Sequence, residues 1–237
     1  MNYFYLKIFG LVLFIIVVSY WNTYCNSFIE SFSLNSSNKN ININGNGNGN
    51  KQIVLLGDSI LKNNSYVSNG KGVDNILEER NANVVSLAEN NSKIIDVYGQ
   101  IGKIPLEINN DSTSIFLSSG GNDILSFYVD QHGDTTDTGF LNTMMAAYKK
   151  LVKSIQTRMN KCQIVLVDIY YPVSNQFAQY KPIIEQWNTL ISNYAREKSF
   201  GLLQISQSVT SSEDFTLGIE PSEKGGTKIA QLILDYN

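Results

Sequence analysis

From Gln52 onward, short uninterrupted apolar runs alternate with stretches in which apolar residues recur every third or fourth position. The runs predict strands at Ile53 to Leu56, Val84 to Ala88, Ser114 to Ser118, Ile164 to Val167 and Leu202 to Ile205. Continuous apolar runs of that length suit strands buried on both faces. The periodic stretches predict helices from about Val73 to Glu79 and from Ile94 to Ile101. A longer one carries Leu141, Met144, Tyr148, Leu151, Val152, Ile155 and Met159, and another carries Ile183, Trp187, Leu190, Ile191 and Tyr194. The last presents Ile229, Leu232 and Ile233. Residues at helical spacing on one stripe are core, so Met144, Met159 and Tyr148 are read as packing rather than as cofactor contacts. Five strands alternating with helices imply an α/β fold, with a parallel sheet covered on both faces. Ligands in such sheets bind beyond the carboxyl ends of the strands.

The pattern before Gln52 is of another kind. Lys7 precedes an apolar run from Ile8 to Val18, and the more polar Ser19 to Ser27 follow. That is the layout of a secretory signal, and it is short for a span, which needs roughly 20 apolar residues. Residues 1–25 are therefore read as a signal peptide or signal anchor. Cleavage after Cys25, with Thr23 at the other small position, is the preferred reading; the aromatic flanks Tyr3, Tyr20 and Trp21 suit an uncleaved membrane anchor. Either way Lys7 lies on the inner side and Glu30 on the other, so the rest of the chain is directed to the lumen or exterior. Residues 26–50 are rich in Asn, Ser and Gly and cannot bury enough apolar area to offset their ordering entropy, so they read as a flexible linker. Their spaced glycines precede the first strand, whereas a dinucleotide fingerprint must follow one. Residues 51–237 form the folded domain. Glycosylation triplets at Asn35, Asn63, Asn90 and Asn110 are consistent with a secreted chain.

Composition narrows the chemistry. The 237 residues are 43% hydrophobic and 16% charged, with a formal net charge of −3. Without a cluster of Lys and Arg, nucleic acid is not an expected partner. Two cysteines, Cys25 and Cys162, and one histidine, His132, are too few for an ordinary zinc site or a disulfide framework, and no cofactor is expected. Cys162 reads as a small core residue. Asp58, Asp123 and Asp168 stand near strand ends without the spacing of a magnesium site.

The binding-edge rule gathers three separate segments. Ser59, Asn90 with Asn91, and Asn122 each follow a predicted strand. A serine just past a buried strand has an exposed hydroxyl beside a backbone N–H, which suits acyl transfer. Gly57-Asp58-Ser59 taken alone is also an ordinary turn sequence. Gly120-Gly121 lets the chain turn tightly and brings Asn122 to the rim, where its amide can stabilise an oxyanion, with Asp123 anchoring the turn.

Ile53-Val-Leu-Leu-Gly-Asp-Ser-Ile-Leu61 and Phe116-Leu-Ser-Ser-Gly-Gly-Asn-Asp123 resemble the first and third signature segments of the SGNH, or GDSL-type, hydrolases, and the resemblance spans nearly all of residues 51–237. It implies a flavodoxin-like three-layer α/β/α sandwich with Ser59 as nucleophile. It also implies an oxyanion hole from the Ser59 N–H, a backbone N–H after the second strand and the Asn122 amide. Asn91 aligns with the glycine that usually supplies that second N–H, and asparagine is the next best residue for a left-handed backbone.

The family's closing Asp-x-x-His-Pro-Ser is matched here by Leu217-Gly-Ile-Glu-Pro-Ser222. Glu220 replaces the histidine and Leu217 the aspartate, with Asp214 nearby as another route to the cleft. A free glutamate, at about 4.3 against about 6.5 for histidine, is roughly two units too weak a base, but burial can raise it to about 6 or 7. Two readings stand: Glu220 as a desolvated base, or as a support for the turn before the helix that Ser222 caps. His132, in the polar stretch Asp130-Gln-His-Gly-Asp134, is the other candidate base and equally a solvated loop residue. The expected function is a serine esterase acting on a small-molecule, lipid or acylated-sugar ester. The alternatives are a binding module that keeps the cleft without a competent base, or a membrane-tethered interaction domain.

Overall fold

Six consecutive residues, Gln52–Gly57, are all buried and form β1, the strand around which the sheet is laid. The computed structural model describes residues 51–130 and 138–236. β1 pairs in parallel with β2 (Asn83–Ser86) on one side and β3 (Thr113–Ser118) on the other, so that Leu55 stands between Ser86 and Phe116. β4 (Gln163–Val167) joins β3, and β5 (Gly201–Leu203) joins β4. The order β2-β1-β3-β4-β5 is the flavodoxin-like arrangement. Connections leave β1 in one direction and return to its other side, which opens a crevice at the carboxyl ends of β1 and β3.

Helices cover both faces, giving the expected three-layer α/β/α sandwich. α1 (Val73–Glu79) packs beside the last helix, and α2 (Val97–Gly102) beside the long α3 (Thr138–Arg158). The fourth, α4 (Lys181–Lys198), meets α3 where Trp187 sets its ring edge-on to Tyr148, 5.4 Å between centroids. The closing helix, α5, is Glu223–Tyr236. Leu141, Met144, Tyr148, Leu151, Val152, Ile155 and Met159 are all buried, as the helical stripe requires. Leu190 and Leu232 lie at the edges of their stripes and are half-buried.

Three boundaries depart from the sequence pattern. The second strand stops at Ser86 and the fifth at Leu203, with Ile205–Gln207 forming a 3₁₀ turn. The second helix begins only at Val97, because Asp96 accepts from the Lys93 N–H at 2.8 Å and Asp123 takes the Ile94 N–H at 3.0 Å. Those bonds hold Lys93 to Asp96 as a turn tied to the segment after β3. The stretch after Asn122, unassigned by periodicity, continues helically as Gly121–Ile124 and a π-helical run, Leu125–Asp130.

β1 ends in a constraint that only glycine meets. Gly57 has φ +123°, and a Cβ there would lie 1.6 Å from the Ser118 carbonyl oxygen. Past the end of β2 the Glu89 N–H still reaches the Gly57 carbonyl at 3.0 Å, and the Gln100 side chain joins it, accepting from the Gly57 N–H at 2.7 Å and donating to the same carbonyl at 2.8 Å. Gly57→Ala is expected to cost about 3 kcal/mol or more in urea unfolding, since positive φ and a backbone clash act together. A loss below about 1 kcal/mol would show that β1 and β3 can separate without harm.

Candidate active site

Immediately past that glycine the chain turns, and Asp58 and Ser59 enter the crevice. The turn is held by Leu61 N–H to the Asp58 carbonyl at 3.1 Å, and by Asp58 Oδ1, which accepts from the Ile60 N–H at 3.1 Å and the Ser118 hydroxyl at 2.9 Å. Ser59 is only 7% exposed, not the exposed hydroxyl expected of a serine just past a strand, because the turn folds it back against the strand ends.

Two further segments follow the neighbouring strands β2 and β3. Asn91, after β2, adopts φ +60°, the left-handed backbone anticipated for it, and its side chain is exposed. Asn122 lines the cleft, and its amide donates to the Ser92 carbonyl at 3.0 Å. One N–H is thereby committed, which orients the other, and the segment after β3 is tied to the loop after β2. Ser92 is held in turn by Gln100, whose amide reaches the Ser92 hydroxyl at 3.1 Å.

Glu220 arrives on an element that periodicity did not reveal: an antiparallel pair, β6 (Phe215–Thr216) and β7 (Glu220–Pro221). Its turn closes with the Ile219 N–H on the Thr216 carbonyl, with Leu217 at φ +51° and Gly218 at φ +82°. Two left-handed residues in succession make a type I′ turn, for which Leu217 is a poor choice. Glu220 lines the cleft, and its Oε2 is buried without a hydrogen-bond partner. Burial pushes its carboxyl above the ordinary glutamate value, and the Ser59 hydroxyl is close enough to oppose part of that rise.

Beside these polar groups the cleft is apolar. Ile60, Ile124, Ile169, Phe177, Tyr180 and Ile184 contribute to its wall. Asp58 also faces it, and burial raises this carboxyl from 3.8 to about 7, opposed by the Ser118 and Ile60 bonds and helped by the charges of Glu220 and Asp123. From the sequence Asp58 reads only as a strand-end acid; its burial beside the cleft depends on β3 supplying Ser118.

Solved structures of the same architecture exist. A lipolytic protein of the G-D-S-L family from Veillonella parvula aligns with TM-score 0.59 at 21% identity, over 78% of this chain and 96% of its own. A lipase from a goat rumen metagenome aligns with TM-score 0.60 at 15% identity, over 78% and 96%. An acetylxylan esterase from Geobacillus stearothermophilus gives 0.57 at 16%, over 81% and 94%. No protein-family model and no curated relative matches the chain. The fold is that of the GDSL-type lipases and esterases.

Within this GDSL-type fold several expectations are corrected. Asp214 does not reach the cleft: it is fully buried and accepts from the Thr210 and Ser211 N–H groups, both at 2.9 Å, and from Lys228 Nζ at 2.7 Å. Burial pushes it up, and those bonds outweigh the effect and hold it below the ordinary value. Leu217 is the tip of the turn and 74% exposed. Asn63 is no glycosylation site, being completely buried. Asn110 accepts from the Ser112 N–H and hydroxyl, and Asn90 donates to Ser65. Ser222 does cap α5, its hydroxyl accepting from the Gly225 N–H at 3.2 Å. Asp58, Asp123 and Asp168 bond separately to Ser118, Ile94 and Ser206. His132, Cys25, Asn35 and the leader and linker fall outside the described residues.

The buried Asp58 makes stability depend on pH. Its folded value is raised, so the stabilisation is fully present below 3.8 and is lost as pH rises toward about 7. Asp58→Asn keeps an acceptor for Ser118 and Ile60 and removes the charge. It is expected to flatten the fall in unfolding free energy across that window and to exceed wild type above it by a few kcal/mol. An unchanged pH slope in Asp58→Asn would exclude Asp58 as its source.

Proposed function

We propose that the domain is a serine ester hydrolase whose base is Glu220, acting on esters with an apolar acyl group. The observation that carries this reading is the buried, unpartnered Glu220 Oε2 in the cleft beside Ser59. In this reaction Ser59 Oγ attacks the ester carbonyl carbon while Glu220 takes the hydroxyl proton, and the carbonyl π electrons move onto oxygen. The oxyanion is met by the Ser59 N–H, the Asn91 N–H and the uncommitted Asn122 N–H. Collapse breaks the bond to the alcohol oxygen, which leaves with the proton from Glu220. Water then attacks the acyl-serine with Glu220 again as base, releasing the acid and restoring the serine.

Burial supports the chemistry as well as the geometry, because a raised glutamate is a stronger base than a solvated one. The apolar wall formed by Ile124, Ile169, Phe177 and Ile184 supports an acyl group larger than acetyl. The leader supports delivery to the lumen or exterior, either free after cleavage near Cys25 or held by an uncleaved anchor.

The test is labelling by a fluorophosphonate and turnover of a p-nitrophenyl ester series. Wild type is expected to label on Ser59; Ser59→Ala should not label, and Glu220→Gln should label and turn over roughly 10²- to 10⁴-fold more slowly. The rate should fall as pH falls through the raised Glu220 value, because protonation removes the base. From acetate to hexanoate, kcat/KM should rise by roughly fourfold per methylene, the equivalent of about 0.8 kcal/mol each. A folded wild type that neither labels nor turns over any ester would sink the proposal. A series that peaks at acetate would remove the apolar-acyl assignment alone.

A further inference from the structure

A serine hydrolase base is ordinarily oriented by a third group. Among the described residues no acid is seen in that role for Glu220: Asp214 turns its Oδ2 to Lys228 and the Thr210–Ser211 backbone. Nor does the hairpin that carries Glu220 hold itself. It has two residue pairs, and its turn forces Leu217 into a left-handed conformation.

What does hold it comes from outside. Tyr170, buried after β4, donates its hydroxyl to the Ile219 carbonyl at 2.7 Å, one residue before Glu220. Its ring meets Phe215 on the opposite strand edge-on, 5.0 Å between centroids. One residue after Glu220, Asn63 donates to the Pro221 carbonyl at 2.9 Å and to that of Ser222 at 3.3 Å. Asn63 Oδ1 accepts from the Val73 N–H at 3.0 Å, anchoring the contact to α1. The peptide unit just before Glu220 and the one just after Pro221 are thus pinned by buried side chains, while the Glu220 Oε2 stays unpartnered.

We infer that Tyr170 and Asn63 are positioning residues for Glu220, a backbone clamp that replaces the third member of a serine–base–acid set. The inference rests on Glu220 being the base. Tyr170 itself is not the proton donor: its hydroxyl is spent on Ile219, and burial with the nearby carboxylates lifts it well above the ordinary tyrosine value. Among the described residues, the titratable groups facing Glu220 are Asp58 after β1, Tyr66 in the turn beyond and Tyr170 after β4, with the Ser59 hydroxyl beside them.

The test uses the whole chain with p-nitrophenyl acetate, whose short acyl group makes little use of the pocket wall that Tyr170 shares. Tyr170→Phe keeps the ring against Phe215 and removes one hydrogen bond. It is expected to lower kcat roughly tenfold to hundredfold with KM nearly unchanged, as a displaced catalytic group does. The acid limb of its pH–rate profile should move down toward the ordinary glutamate value, because a loosened hairpin admits water to Glu220. Adding Leu217→Asn, which suits the left-handed turn, should recover part of that kcat. Asn63→Asp, lacking the donor, should show the same pair of changes, provided its unfolding midpoint shows it folded. Wild-type kcat in Tyr170→Phe would overturn the inference, and so would a lower kcat with an unmoved acid limb. Wild-type activity in Glu220→Gln would instead remove the base itself, and the clamp with it.

Discussion

The approach of Gly57 to the Ser118 carbonyl is the constraint on which the site depends. It exists because β1 and β3 are adjacent parallel strands at the point where the chain's direction of travel across the sheet reverses. A side chain at residue 57 would force them apart; its absence lets β3 run alongside to the last residue of β1 and present the Ser118 hydroxyl to Asp58. On its other side Gly57 is met by the Glu89 N–H and by Gln100, which bonds both its N–H and its carbonyl. Gln100 in turn holds Ser92, and the Ser92 carbonyl fixes Asn122. Three loops from three strands are therefore linked by side-chain amides, so that Ser59, Asn91 and Asn122 are placed by one connected network.

That network carries an electrostatic cost. Asp58 and Glu220 are both withdrawn from water beside an apolar wall, and burial raises both. Carboxylates in such surroundings destabilise the folded state at neutral pH, and proteins retain them where a perturbed acid or base is useful. The proposed chemistry makes use of the Glu220 shift. Asp58 bears its own share by accepting two hydrogen bonds that shape the serine turn.

The hairpin distributes its burden differently. A histidine base offers a second ring nitrogen through which another residue can orient it, whereas a carboxylate has only its two oxygens. Holding such a base through the neighbouring carbonyls leaves those oxygens available. In the proposed reading Tyr170, after β4, and Asn63, in the turn before α1, hold Glu220 in this way.

By itself the sequence determined the alternation of strands and helices, the parallel sheet and the location of Ser59 and Asn122, because buried runs and helical stripes are local patterns that survive any arrangement. Ile53 to Leu56 and the stripe from Leu141 to Met159 were legible for that reason. The left-handed Asn91 was legible too, since few residue types tolerate that backbone. The hairpin at Phe215–Pro221 was not: two residue pairs leave no periodicity, and its shape is imposed by Tyr170 and Asn63, 49 and 158 residues away from the carbonyls they hold. The fate of Asp214 was equally hidden, because one short segment suited either the cleft or Lys228. Only the tertiary structure decided these points, since the partners of a buried polar group are chosen by what the fold brings beside it.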